Sequence, residues 1–156
     1  MPSEPRSSEV PTALGGLRRR LPTPPIPAWV PGVGHLSHRT GIYFDVIRIF
    51  GDRGIEVADE LIATMDGNAG PIISPTSGRN AVLFVLPLDT VDQRSWPPGV
   101  FAHGKRWHEY VAIPALEVST GPARWESHPT VERQYVDPEA LFELVCRLTH
   151  WPGGPP

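Results

Sequence analysis

Cysteine and long apolar runs are both scarce in this sequence. Cys146 is the single cysteine, so no disulfide framework can form within one chain. It lies in a segment with helical apolar spacing, where we expect a buried structural thiol. No apolar run approaches the roughly 20 residues that span a bilayer, and the first ten residues, MPSEPRSSEV, lack the apolar core of a signal peptide. We therefore expect a cytoplasmic protein without a membrane segment.

A surplus of positive charge is also missing. The 14 Lys and Arg residues are outnumbered by 17 Asp and Glu, which gives a net charge of -3 at pH 7. This balance argues against a strongly basic nucleic-acid-binding protein, because long-range attraction to phosphates requires excess positive charge. It leaves room for a local basic patch. Lys105 is the only lysine and every other basic residue is arginine, a usage that fits a high-GC coding bias better than a binding role.

Proline is abundant but unevenly distributed along the chain. Many of the 20 prolines lie in the first 31 positions and in the last five. Residues 1–28 are therefore predicted to be a disordered, Pro-rich tail, residues 29–151 to form one domain, and residues 152–156 to be a flexible C-terminus. The arginines at positions 18–20 are either solvated charges or a contact for nucleic acid or an acidic partner, and solvated charges are the simpler interpretation.

A strand followed by a helix is predicted at the start of the domain. The segment YFDVIRIF, residues 43–50, is rich in β-branched and aromatic side chains and predicts a buried strand. Asp52 is the expected N-cap of a helix whose apolar residues recur at helical spacing from Ile55 to Met65. Gly67 is expected to end that helix.

Four further strands and a second helix are predicted downstream. Asp137 as N-cap, Pro138 at the first helical position and Glu139 in the first turn indicate the start of the second helix. The element order β-α-β-β-β-β-α predicts an α+β domain, a small layered structure with a mostly antiparallel sheet and helices packed on it. The four strands are expected at residues 71–74, 81–87, 107–114 and 123–127, the first two as a hairpin.

Motifs for metals and nucleophiles are weak. His35 and His38 form an H-x-x-H pair, and His103 and His108 lie close in sequence, but a zinc site needs three or four convergent ligands. We expect surface or hydrogen-bonding histidines, no metal and no cofactor. G-x-S-x-G elbows and Gly-rich phosphate loops are absent. An enzyme that uses His103, His108 and Glu109 is the weakest hypothesis, because no supporting third group can be identified.

The turn TSGRN, residues 76–80, is a candidate anion site. Tight turns with exposed backbone N–H groups beside an arginine can hold a phosphate, and Ser77, Gly78 and Arg79 suit that role. The alternative is that this turn only closes the hairpin.

Three segments resemble a known family. FDVIRI, SPTSGRNAVLFVLP and YVAIPALEVSTGPARW are similar, in this order, to segments of the N-terminal domain of bifunctional primase/polymerase proteins, in particular the short actinobacterial versions. The resemblance covers roughly Thr40 to Trp125 and implies a primase/polymerase-like fold. In catalytic members an acidic pair on the first strand and a third acidic residue bind two metals. A histidine after the Ser/Gly-Arg turn contacts nucleotide phosphates.

This sequence departs from the catalytic pattern at each of those positions. Asp45 is present on the first strand, but the acidic-pair position reads Arg48-Ile49-Phe50, Asn80 replaces the histidine, and no carboxylate lies at residues 101–103. Two-metal phosphoryl transfer requires those carboxylates, so the resemblance implies the fold without polymerase activity.

A metal-free anion or nucleotide pocket is the hypothesis that the remaining residues support. A Gly-Arg pair is typical of the family at this turn, and Arg79 keeps it. Arg48 either joins Arg79 on the sheet face or pairs structurally with Asp45 or Glu109. The candidate pocket residues are Arg48, Ser77, Gly78, Arg79 and Asn80.

Two functions are consistent with these sequence features. The first is a non-catalytic regulatory or scaffolding module that binds a protein partner, in keeping with the missing carboxylates, the negative net charge and the Pro-rich tail. Tryptophans are candidate interface residues, and Trp96, beside two prolines, is expected to be the most exposed of the five. The alternative is a nucleotide- or nucleic-acid-binding protein in which Arg48, Arg79, Lys105, Arg106 and the tail arginines contact phosphate.

Overall fold

The computed structural model describes residues 26–78, 80–117 and 120–152. Most of the predicted Pro-rich tail, nearly all of the predicted flexible C-terminus, and Arg79 therefore lie outside the described residues. Within the described ranges no helix is long and apolar enough to cross a membrane. The elements are β1 (His35–Arg39), β2 (Asp45–Phe50), α1 (Gly51–Thr64), β3 (Ile72–Pro75), β4 (Ala81–Leu86), a 3-10 turn (Val91–Gln93), β5 (Val100–His103), β6 (Tyr110–Pro114), β7 (Ala123–Ser127) and α2 (Pro138–Thr149).

The strands form two antiparallel sheets. Five strands pair in the order β5-β2-β4-β3-β7, and β1 and β6 pair separately as a two-stranded ribbon. Both helices pack on one face of the five-stranded sheet and the ribbon packs on the other. The predicted α+β class with a mostly antiparallel sheet and packed helices is thus confirmed, and β3 and β4 form the predicted hairpin.

Alternation along the strands divides the core into two parts. On β2 the side chains of Ile47 and Ile49 face the helices, whereas Val46 faces the ribbon. The ribbon-side core also contains the indole of Trp29, which meets the Phe44 ring edge-on at a centroid distance of 4.9 Å. The helix-side core joins residues from the sheet and both helices, among them Val57, Leu61, Phe84, Leu86, Leu141 and Val145.

The helix ends test the capping predictions. Asp137 is the N-cap of α2, and its Oδ1 accepts a hydrogen bond of 3.0 Å from the Glu139 backbone N–H, as predicted. Asp52 is not the N-cap of α1. The N-cap is Phe50 and the helix begins at Gly51, two residues before the start that an Asp52 cap predicts, because the chain passes directly from β2 into the helix. Asp52 lies in the first turn, where its charge still favours the positive end of the helix dipole. The prediction for the end of α1 was one residue off: the C-cap is Met65, so Asp66, with φ +59°, takes the left-handed C′ position expected for Gly67. Gly67, with φ +79°, follows at C″ and donates its N–H to the Ile62 carbonyl at 2.9 Å.

Two strands were not predicted from the sequence. β1 has the mixed sequence HLSHR and is largely exposed, and β5 has only four residues. Each forms through pairing with a strand distant in sequence, β1 with β6 and β5 with β2, which a local pattern does not reveal. The prediction for Trp96 was also wrong. Its indole packs edge-on against Phe142 and donates to the Val91 carbonyl, while Trp107 is 66% exposed.

Candidate functional site

The ribbon covers only part of the sheet face on which it packs. Beyond its edge lies an open groove of about 240 Å³ between the five-stranded sheet and β6. Its floor is apolar and includes Ile73 and Leu83, which belong to the ribbon-side core. Arg48 from β2 is the charged residue among its described lining. The groove therefore combines an apolar floor with one guanidinium group.

Arg48 makes an ion pair at the edge of this groove. Its Nη1 donates to Glu109 Oε2 at 3.1 Å, and the side chains of Arg48 and Glu109 are 20% and 41% exposed. The hydrogen bond from Arg48 lowers the pKa of the Glu109 carboxyl, against a smaller opposing effect of burial. Of the two partners considered from the sequence, Glu109 is therefore the one that Arg48 contacts.

Asp45 has a separate, structural role. It is 2% exposed, and its Oδ2 accepts hydrogen bonds from the backbone N–H groups of Thr90 and Val91, at 3.0 and 3.2 Å. Within the described ranges Oδ1 has no partner. Burial raises the pKa of Asp45, and the backbone hydrogen bonds partly oppose that rise. Because Asp45 and Arg48 are three residues apart on one strand, their side chains lie on opposite faces of the sheet.

Exposed aromatic side chains surround Arg48. Phe50 and Tyr110 line the groove and are 51% and 63% exposed. Phe101, opposite Arg48 in the β2–β5 register, is 48% exposed, and its ring meets that of Phe50 edge-on at 5.5 Å. The Arg48 guanidinium carbon lies 6.0 Å from the centre of the Phe50 ring. The term aromatic surface is used below for the three rings around Arg48, those of Phe50, Phe101 and Tyr110.

The predicted anion turn is positioned at the rim of the same groove. Pro75 and Ala81 both line the groove, and residues 76–80 connect them. Ser77, Gly78 and Asn80 are exposed there. The Asn80 carbonyl accepts a 3.0 Å hydrogen bond from the Gly51 N–H and so extends the pairing of β2 with β4. The turn closes the hairpin, and its proposed phosphate contact, including the part assigned to Arg79, stays a prediction.

The histidines make hydrogen bonds with different parts of the protein. Nε2 of His35 and of His38 donates to the carbonyls of Ala123 and Trp29, at 2.9 and 2.8 Å. His103 Nδ1 donates to the Trp107 carbonyl at 3.0 Å. His108 Nδ1 lies 3.5 Å from Arg39 Nη2. Over the described part of the chain, no group of three or more His, Cys, Asp or Glu residues is arranged to hold a metal ion.

The aromatic surface was not found from the sequence. Phe50 belongs to a segment that was predicted to be a buried strand, and Phe101 lies on a strand that was not predicted. One signal was present: Arg48 and Phe50 are two residues apart, so they share a strand face, and a face that carries an arginine is rarely fully covered.

Comparisons with known proteins leave the family open. No protein-family model matches the chain, and neither the curated proteins nor the solved structures give a significant match.

Proposed function

We propose that this chain is a non-catalytic, primase/polymerase-like domain that acts as a regulatory or scaffolding module by binding a protein partner through the aromatic surface. The observation that carries the proposal is the set of three half-exposed aromatic rings around Arg48 at the mouth of an apolar groove. The primase/polymerase-like assignment rests on the three sequence segments that resemble that family.

The composition of the aromatic surface supports protein binding. Phe, Tyr and Arg are enriched at protein interfaces, and truncating such residues at the centre of an interface often weakens binding strongly. An exposed group of large apolar side chains gains free energy when a partner removes it from water. The ion pair with Glu109 holds Arg48 in place before a partner arrives, which reduces the entropy lost on binding.

The position of Arg48 supports a non-catalytic role. In catalytic members of the family that this sequence resembles, the end of the first strand carries the metal-binding carboxylates. Here that position carries the guanidinium group of Arg48, which would repel a divalent cation. Asp45, the carboxylate that the strand does keep, points to the opposite face and holds the 3-10 turn.

The test is affinity capture from extracts of the native cell with two matched variants. Phe50→Ser combined with Tyr110→Ser removes two rings of the aromatic surface. Tyr43→Ser removes a ring of similar exposure, 53%, from just before the opposite end of β2. We expect a protein that co-purifies with the wild type and with Tyr43→Ser but not with the double variant. Equal capture by all three proteins would refute the proposal, provided that thermal melts show all three folded.

Nucleotide or nucleic-acid binding is the second candidate. It is favoured by one observation, namely that the exposed residues Ser77, Gly78 and Asn80 belong to the turn that connects Pro75 and Ala81, two lining residues of the groove that holds Arg48. A base could stack on Phe50 or Tyr110 while phosphate meets Arg48 and the turn.

This candidate predicts a salt-dependent titration. A labelled single-stranded oligonucleotide should bind the wild type and dissociate as salt rises from about 50 to 200 mM. Arg79→Ala should weaken that binding. Arg147→Ala, which removes an exposed cation on α2, should leave it unchanged. Binding that ignores salt and Arg79 would exclude the candidate.

A further inference from the structure

The outer side of β5 is an unpaired sheet edge. We infer that it binds an extended peptide segment of a protein partner, which adds to the sheet as a sixth strand beside β5. This inference rests on the proposed protein-binding function and names the kind of partner segment.

The direction of the backbone groups on β5 follows from hydrogen bonds elsewhere in the sheet. The Gly51 N–H, directly after β2, donates to the Asn80 carbonyl, directly before β4. Backbone groups of an antiparallel strand point to alternate sides, so the odd-numbered residues of β2 direct theirs to β4. The even-numbered residues of β2 direct theirs to β5. Phe101 and His103 are opposite Arg48 and Val46 and therefore bond to β2. Ala102, between them, directs its N–H and C=O away from the sheet.

Val100, two residues before Ala102 on β5, fits the same alternation. The Val100 N–H does not bond to β2 but donates to the Pro97 carbonyl at 3.2 Å, which leaves its C=O pointing outward. No strand lies on this side of β5 within the described ranges. Ala102 N–H, Ala102 C=O and Val100 C=O thus form the hydrogen-bonding edge that an added antiparallel strand requires.

A trough follows this edge. A cavity of about 500 Å³ is lined by all four residues of β5, by Arg94 and Trp96 on the side of the 3-10 turn, and by Trp107. Trp107 follows β5 in the chain and is 66% exposed. The cavity therefore provides space directly beside the unpaired edge of β5, and the exposed Trp107 lies at its border.

The side chains on this edge define the chemistry of the segment. Residues of an added strand that lie beside Phe101 on the ribbon face would contact that ring, so apolar or aromatic side chains are favoured at every second position. The segment must lack proline where it donates to the Ala102 carbonyl. Phe101 also belongs to the aromatic surface, so a strand added beside β5 would contact one of the three rings of that surface.

The experiment uses peptides selected from a random library displayed on phage against the full chain. Enriched peptides are synthesised, labelled and titrated against the wild type, Ala102→Pro and Ala102→Ser. Proline removes the outward N–H while the bonds of Phe101 and His103 to β2 remain, and an edge strand tolerates it. We expect peptides with alternating apolar residues, affinity roughly tenfold weaker for Ala102→Pro, and little change for Ala102→Ser. Amide hydrogen exchange on the wild type, which needs no variant, should show that peptide slows exchange at Ala102.

Each outcome has a definite meaning. Unchanged exchange at Ala102 in the peptide complex, or equal binding by Ala102→Pro, overturns strand addition. If the peptides bind Ala102→Pro as well as the wild type but bind the Phe50→Ser, Tyr110→Ser double variant more weakly, the proposed function stands and this inference fails. If the library yields no peptide that binds, the inference is overturned, and capture of a partner in the earlier test decides the proposed function separately.

Discussion

Replacing Gly54 of α1 by Ala should lower the stability of the protein, although a Gly-to-Ala substitution inside a helix normally raises it. Ala normally stabilises a helix interior by about 1 kcal/mol relative to Gly. Here an added Cβ would lie 3.2 Å from the carbonyl carbon of Ile49 and closer still to its oxygen. The helix would have to retreat by roughly 1 Å to restore an ordinary contact of about 3.5 Å. Since backbone meets backbone, no rotamer change relieves the overlap.

The magnitude for Gly54→Ala follows from two opposing contributions. Overpacking of this kind costs about 1–3 kcal/mol, and the rigid contact with Ile49 places the cost near the upper limit. After subtraction of the gain in helix propensity, we expect a net destabilisation of about 2 kcal/mol and a Tm lower by roughly 5–10 °C.

Urea denaturation and calorimetry would measure both quantities. Gly32→Ala is the matched control, because nothing lies within 4 Å of its added Cβ, and its stability should stay within about 0.5 kcal/mol of the wild type. A Gly54→Ala protein as stable as the wild type would show that α1 does not pack on the end of β2 as described.

Three further predictions concern ionisable groups. Arg48→Met should cost about 0.2–1 kcal/mol at pH 7, as for partly exposed ion pairs. The pKa of Glu109 is lowered from its ordinary 4.5, so protonation of this carboxyl at lower pH removes the ion pair in the wild type. Urea titrations should therefore show the cost of Arg48→Met shrinking as the pH falls below 4.5. A cost that is the same at pH 3 would contradict the ion pair. Asp45→Asn should gain stability relative to the wild type as the pH rises above 3.8, since a carboxyl whose folded pKa is raised from that value destabilises the fold as it ionises. A pH-independent difference would argue against a buried carboxylate. Cys146 should react with a thiol reagent slowly in the native protein and rapidly in denaturant, because burial shields the thiol and raises its pKa; rapid native labelling would refute its burial.

Elements with local signals were predicted well from the sequence. The start of α2 carries its own cap in Asp137, and β4 is an uninterrupted apolar run whose six residues are all buried. β1 and β5 carry no such signal, because their stability comes from partners far away in the chain, β6 and β2.

The candidate site was predicted only in part. Strand alternation placed Arg48 on a sheet face, and Glu109 was one of two partners considered. Strand alternation excludes Asp45, which is three residues from Arg48 on the same strand, but the contact with Glu109 depends on the loop before β6, which brings Glu109 over β2. The aromatic surface depends on how far the ribbon extends over the sheet, and residue patterns do not encode that extent.

Thr40 connects the groove with the edge trough. Its buried hydroxyl donates to the Gly104 carbonyl at 3.1 Å and accepts from the Glu109 N–H at 2.9 Å. It therefore fixes both ends of the loop that carries Trp107 beside β5 and presents Glu109 to Arg48. Together with the hydrogen bond of 2.9 Å from the Thr40 backbone N–H to the Glu109 carbonyl, this hydroxyl group holds the two surfaces at a set spacing. A partner that spans both surfaces would therefore meet them at a fixed separation.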